Sequence, residues 1–170
     1  MRNLLSGCLV VALATVSLAA DAPTSVKTKA TYSISGLHCA PCTMTVENSI
    51  KKIKGVQSIT VDWNTKNAKV EFDESVLSAQ ALAKAIGATP HMMGSSMKYE
   101  GWLALKVPSI KDDATAKTAQ AVLEKVTGVA KVATYIKQQS VAIEFKPDGA
   151  LISQDLIKAL ADAGIEAGNL

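Results

Sequence analysis

The sequence predicts an α+β fold of two tandem βαββαβ units, each an antiparallel sheet covered by two helices, and three observations support it. The first is a repeat. "SIKKIKGVQSITV" at 49–61 aligns with "VLEKVTGVAKVAT" at 122–134 at an offset of 73 residues, which brings Gly55 and Val56 onto Gly128 and Val129. The same offset lays "VEF" at 70–72 on "IEF" at 143–145, and with one inserted residue "LAKAI" at 82–86 matches "LIKAL" at 156–160. Matches in one order over a whole unit mean a single structural module used twice. The second is that apolar spacing alternates between strand and helix periods in the same order in both copies. The third is size: a unit of about 70 residues can fold alone, near the lower limit for doing so.

In the first copy "TYSIS" at 31–35 alternates as a strand does. Val46, Ile50 and Ile53 recur at helical spacing, so 41–54 reads as an amphipathic helix. Pro41 suits its first turn, where a backbone N–H would have no partner anyway, and Gly55 ends it. "VQSITVDW" and "AKVEFD" are two strands around a polar turn at 64–67. A second helix covers 78–88, with Leu82, Ala85 and Ile86 facing inward, and a last strand is expected near His91. The linker is "GSSMK" at 94–98. The second copy gives a strand at 101–107, a helix at 113–127, strands at 129–136 and 140–145, a helix at 153–163 and a short strand at 165–169. Twice βαββαβ is the ferredoxin-like arrangement. The expected division is therefore 1–20, 30–97 and 100–170.

Residues 1–20 read as a secretory leader: Arg2, an apolar run from Leu4 to Val16, and a small-x-small pattern at Ser17, Leu18 and Ala19. A retained membrane anchor is the alternative, because the run falls slightly short of the roughly 20 residues that span a bilayer. "LSGC" at 5–8 has the look of a lipobox, but its apolar run follows Cys8 instead of preceding it. A periplasmic or secreted location is expected. Without Arg2 the chain carries 17 basic residues against 15 acidic. Basic blocks interleaved with aromatics are absent, so nucleic acid is not an expected partner. Apolar residues make up 48% but aromatics only 4%, a composition for a small aliphatic core rather than a stacking pocket.

Chemistry concentrates in "GLHCAPC" at 36–42. Two cysteines at i and i+3 do not staple distant segments as a disulfide scaffold does; they form a local site. Cys39 falls in the loop leaving the first strand and Cys42 in the first turn of the helix, so both sulfurs can converge on one ion. The helix N-terminus favours the thiolate, the form that ligates metal. Soft thiolates select copper(I), mercury(II), zinc or cadmium over calcium and magnesium. Two sulfurs suit the linear or trigonal coordination of copper(I) or mercury(II) better than the four-ligand tetrahedron of structural zinc.

"GLHCAPC" followed by "VENSIKKIKGV", two strands and a helix resembles the heavy-metal-associated domain of copper chaperones, of copper-ATPase N-termini and of the periplasmic mercury-binding protein. The resemblance covers residues 30–93. It implies a metal-binding protein that is not an enzyme, passing copper(I), or mercury(II) or zinc, by thiolate exchange to a metal-transporting membrane protein or another metal-binding domain. Cys39 and Cys42 are the ligands it implies. His91, after the second helix, stands where family members carry a residue facing the cysteines and is a candidate third ligand; a solvent-exposed histidine is the alternative. His38 is either an exposed loop residue or an electrostatic neighbour of the site. The second copy departs from the pattern, since the offset carries Cys39 to Asp112 and Cys42 to Thr115, and no metal site is expected there.

Other features admit two readings. Met92, Met93 and Met97 are core or loop filling, or thioether donors for copper(I). Lys51, Lys52 and Lys54 are a solvated helix face, or a docking stripe for an acidic partner. The main rival function is a thioredoxin-like oxidoreductase using the Cys-Ala-Pro-Cys pair. Against it stand His38 where that family carries tryptophan, a unit shorter than that fold, and an order of elements with no room for central parallel strands; a facing cis-proline would also be needed, and Pro90 is the only candidate in the first copy. A third reading makes the second copy an interaction module that docks on the first copy or on a transporter. Neither a Ser/His/Asp set, a phosphate-cradling loop nor a convincing carboxylate pair points to other catalysis.

Overall fold

The computed structural model describes residues 25–170; the expected leader and Cys8 lie outside the described residues. The elements run β1 (Lys27–Ser35), α1 (Ala40–Ile50), β2 (Val56–Asp62), β3 (Asn67–Asp73), α2 (Ala79–Gly87), β4 (Glu100–Lys106), α3 (Asp113–Glu124), β5 (Val129–Tyr135), β6 (Ser140–Phe145), α4 (Ser153–Asp162) and β7 (Gly168–Asn169). The class is α+β, with four helices on antiparallel strands. Among the described residues no helix is long and apolar enough to cross a membrane.

The repeat extends to backbone detail. Both copies carry a left-handed glycine before the second strand, Gly55 at φ 99° and Gly128 at φ 102°, and a left-handed hairpin residue, Lys66 at φ 57° and Gln139 at φ 49°. Register shifts fall between Val56 and Ser58 in one copy and between Val129 and Lys131 in the other. Each pair is separated by 73 residues, so the offset seen in the letters is also an offset in geometry. The helices α1 and α3 end earlier than expected for one shared reason. Before each glycine the chain tightens into i→i+3 bonds, Ile53 N–H to Ile50 O and Val126 N–H to Leu123 O, both at 3.0 Å.

The two units share a strand. The order is β2-β3-β1-β4-β6-β5, with β7 also on β4. β4 closes the first unit by pairing with β1, from Thr31↔Ala104 to Ser35↔Glu100. Its other edge opens the second unit by pairing with β6, and its last residues pair with β7. One row of side chains, Val61, Ala68, Tyr32, Leu103, Ile143 and Val132, runs across six strands through successive partners, and all six are buried in a single core. No strand forms at the expected place near His91. Pro90 has no N–H to give a ladder, and 91–97 is taken up by two consecutive turns, Gly94 N–H to His91 O and Met97 N–H to Gly94 O, both at 3.3 Å. The strand that the first unit needs is supplied beyond the expected linker.

Polar groups also lock the units together. Glu74, only 6% exposed, accepts the Ser153 backbone N–H at 2.7 Å and the Ser153 hydroxyl at 3.0 Å, and the Thr28 hydroxyl at 3.2 Å. A carboxylate from the first unit thus satisfies a free donor at the start of α4 in the second. Gln80 donates to Lys146 O at 2.9 Å and accepts the Leu151 N–H at 3.0 Å. Gly149 (φ 147°) sits directly on it: a Cβ there would lie 2.5 Å from Gln80 Oε1.

Candidate metal centre

The cysteine loop is shaped by Gly36 at its start. At φ 81°, its backbone is in the left-handed region, and a Cβ there would lie 2.2 Å from the Lys98 carbonyl oxygen. Only glycine lets residues 36 and 98 approach so closely. Leu37 then enters the core and His38 points to solvent. Cys39 is the extended N-cap of α1, with φ −146° and ψ 149°, and Pro41 lies in the first turn. The Cys42 N–H donates to Cys39 O at 3.0 Å.

Cys39 and Cys42 are joined as a disulfide, with Cα atoms 5.2 Å apart. Cys39 is half-buried and Cys42 fully buried, packed with Val46 and Ile50 on the inner face of α1. Cys39 is therefore the more exposed of the two. In α3 the corresponding pair does something else: Asp112 and Thr115 form a reciprocal helix cap. The Thr115 and Ala114 backbone N–H groups and the Thr115 hydroxyl hold the Asp112 carboxyl below its ordinary range. α1 has no side-chain cap bond at all.

His91 is tied to this loop. Its Nδ1 accepts the Met93 N–H at 3.1 Å, which leaves the proton on Nε2 to donate to Gly36 O at 2.9 Å. Both nitrogens are therefore committed, and His91 would have to release one to take a metal. Its ring lies 5.7 Å from that of His38 and 4.5 Å from that of Tyr99. Among the described residues no group of three or more His, Cys, Asp and Glu is arranged around one ion. Tyr99 is the neighbour that sequence reasoning missed. It is buried, and its hydroxyl has no hydrogen-bond partner among the described residues. No signal marked it, because it follows a loop whose return to the cysteines is a tertiary fact.

The methionines are not core filling: Met92 and Met93 are 57% and 59% exposed and Met97 36%. Lys51 is the C-cap of α1 and pairs with Glu47 at 3.4 Å, whereas Lys52 and Lys54 are exposed in the turn beyond the helix, so the three lysines are not a stripe on a helix face. Glu47 also accepts the Val61 N–H at 2.8 Å, which ties the helix to β2.

The described pair is thus a cysteine couple at the start of the first helix of a βαββαβ unit, and that unit is of the class of metal-binding modules. The heavy-metal-associated domain matches residues 31–91. The mercuric transport protein periplasmic component of Pseudomonas fluorescens is 36% identical over 85 residues, which is 50% of this chain and 87% of that protein. This chain belongs to the heavy-metal-associated domain family. Rat copper-transporting ATPase 2 is 24% identical over 159 residues, 78% of this chain; the chain spans only 11% of that protein's length. Among solved structures, the water-soluble region of the P-type ATPase CopA from Bacillus subtilis is 21% identical, with a TM-score of 0.42 over 85% of this chain and 92% of that one.

Proposed function

We propose that this protein is an exported carrier of a soft metal ion, copper(I) or mercury(II), which Cys39 and Cys42 bind as thiolates after reduction and release by ligand exchange. The observation that carries the reading is the placement of both sulfurs within bonding reach at the open N-terminus of α1, where the helix dipole favours thiolates. A two-sulfur site leaves the ion open to a third sulfur from an acceptor, so transfer can proceed through a shared intermediate without any catalysed reaction. The acceptor is a metal-transporting membrane protein or another dithiol domain. Names of relatives support both ions, since one is a mercuric transport protein periplasmic component and another a copper-transporting ATPase. A mature periplasmic or secreted chain agrees with the leader-like sequence. His91 is a third ligand only in a state where it has let go of Gly36 or Met93. The second unit, residues 100–170, carries no dithiol and serves as the docking module.

One observation favours a second reading. A half-exposed first cysteine bonded to a buried second one is also the arrangement of a thiol-disulfide oxidoreductase. Among the described residues no peptide bond is cis, so Pro90 does not supply the facing cis-proline of that reading. Insulin-disulfide reduction assayed beside copper(I) and mercury(II) titration of the reduced protein separates the two. Tight one-to-one metal binding with negligible reductase activity is expected; strong reductase activity without tight binding would reverse the assignment.

A further inference from the structure

Comparing the two units isolates one addition to the first. Between α4 and β7 the second unit has five residues, 163–167, whereas between α2 and β4 the first has twelve, 88–99. The extra length contains "HMMGSSM", His91 to Met97. The unit that has cysteines has this loop, and the unit without cysteines lacks it. The loop is held in place by the bonds from His91 to Gly36 O and from Met93 N–H to His91 Nδ1, by the two turns centred on Gly94, and by the approach of Lys98 O to Gly36.

A fixed loop carrying three thioethers within six residues, none of them buried, is unusual. Methionine normally fills gaps in cores, and clustered exposure of large apolar side chains is the informative exception on a protein surface. Thioether sulfur is a soft, neutral donor suited to a monovalent d10 cation and poorly suited to hard ions. It also differs from the cysteine pair in one respect that matters outside the cell: it forms no disulfide, so it stays a ligand under the conditions in which Cys39 and Cys42 are bonded to each other. We infer that Met92, Met93 and Met97 form a second soft-metal site, for copper(I) or silver(I), that works while the dithiol is oxidised. On the carrier reading above, it holds the ion next to the cysteine loop while Cys39 and Cys42 are bonded to each other, until an external dithiol reduces that bond by thiol–disulfide exchange, itself leaving as a disulfide, and frees the two stronger thiolate ligands.

The test uses the full chain with the Cys39–Cys42 disulfide intact. Silver nitrate is titrated in chloride-free buffer, with copper(I) held by ascorbate under nitrogen as the second arm, against the variant Met92→Leu, Met93→Leu, Met97→Leu. Leucine keeps the apolar surface and removes only the sulfur, so an apolar docking patch is distinguished from a metal site. The oxidised protein is expected to bind one equivalent of either ion, with shifts in the ε-methyl resonances of the three methionines, and the variant to bind at least tenfold more weakly with unchanged circular dichroism. Absence of saturable binding, or equal affinity in the variant because His38 and His91 carry it, would overturn the inference. Because the cysteines are oxidised throughout, such a failure leaves the dithiol reading untouched, and that reading fails only on reduced protein.

Discussion

The Thr115 backbone N–H donates to Asp112 Oδ1 at 2.8 Å, and the Thr115 hydroxyl to the same oxygen at 2.9 Å. These two residues occupy the places that Cys39 and Cys42 hold in α1, so one pair of positions is used as a helix cap in one unit and as a dithiol in the other. The ββ hairpin and helix frame around them is otherwise the same. The double variant Asp112→Cys, Thr115→Cys is therefore expected to take up a second equivalent of copper(I) when reduced, and to melt at a lower temperature than the parent because the cap is gone. Native mass spectrometry gives the stoichiometry and a circular dichroism melt the stability. A single equivalent in the variant would show that the site needs more than these two positions.

The shared strand makes a prediction about where the chain can be cut. Removing everything after Met97 takes β4 from the first unit, exposes the free edge of β1 along Thr31 to Ser35 and uncovers Ile34 and Ile86. An unpaired apolar edge of this kind associates or unfolds. A chain ending at Met97 is expected to show no cooperative melt, whereas one ending at Val107 recovers it. Equal melts for the two would mean that the first unit is complete without β4.

The contact between units is polar and buried, which makes it costly to break. Glu74→Ala leaves the Ser153 N–H without its acceptor, and Gln80→Ala does the same to the Leu151 N–H. Glu74→Ala is expected to cost about 1–3 kcal/mol in urea unfolding, the usual range for an orphaned buried donor, and Gln80→Ala less, because the Leu151 N–H is only part-buried and water can reach it. Glu74→Gln, which keeps one accepting oxygen, should recover part of the loss.

Acid stability has a specific source in Asp73. The Ser75 and Ser25 hydroxyls and the Ser75 and Val26 backbone N–H groups bring its carboxyl down to about 2. A carboxylate with a lowered folded value stabilises above its unfolded value, the ordinary 3.8, and that contribution is lost as the pH falls from about 4 toward 2. Asp73→Asn should flatten the decline in thermal midpoint across that window and leave the slope above pH 5 unchanged. An identical acid limb in the variant would assign the decline to other groups.

The sequence made the two units legible because their markers are local. A left-handed glycine, a bulge and a hairpin turn each leave a residue-level trace, and Gly55 and Gly128 carry it at the same offset. The strand shared between units left no such trace. Alternation along 101–107 shows which face of a strand is buried but not what pairs with each edge, and the partner on the β1 side lies about 70 residues away. The same limit applies at the site. Cys39 and Cys42 are neighbours in sequence and were found there, whereas His91 meets Gly36 across 55 residues. Its commitment to Gly36 O and Met93 N–H is a property of the folded loop, as is the tilted contact of the Tyr99 ring with it.

The most direct measurement is a chelator competition for copper(I) and mercury(II) under nitrogen, run on the reduced protein, on the same protein with the Cys39–Cys42 disulfide restored, and on Cys39→Ser, Cys42→Ser. If the dithiol at the start of α1 carries the metal, the reduced protein binds one equivalent far more tightly than either of the others, and reoxidation releases it. Equal affinity in all three would contradict a dithiol metal centre.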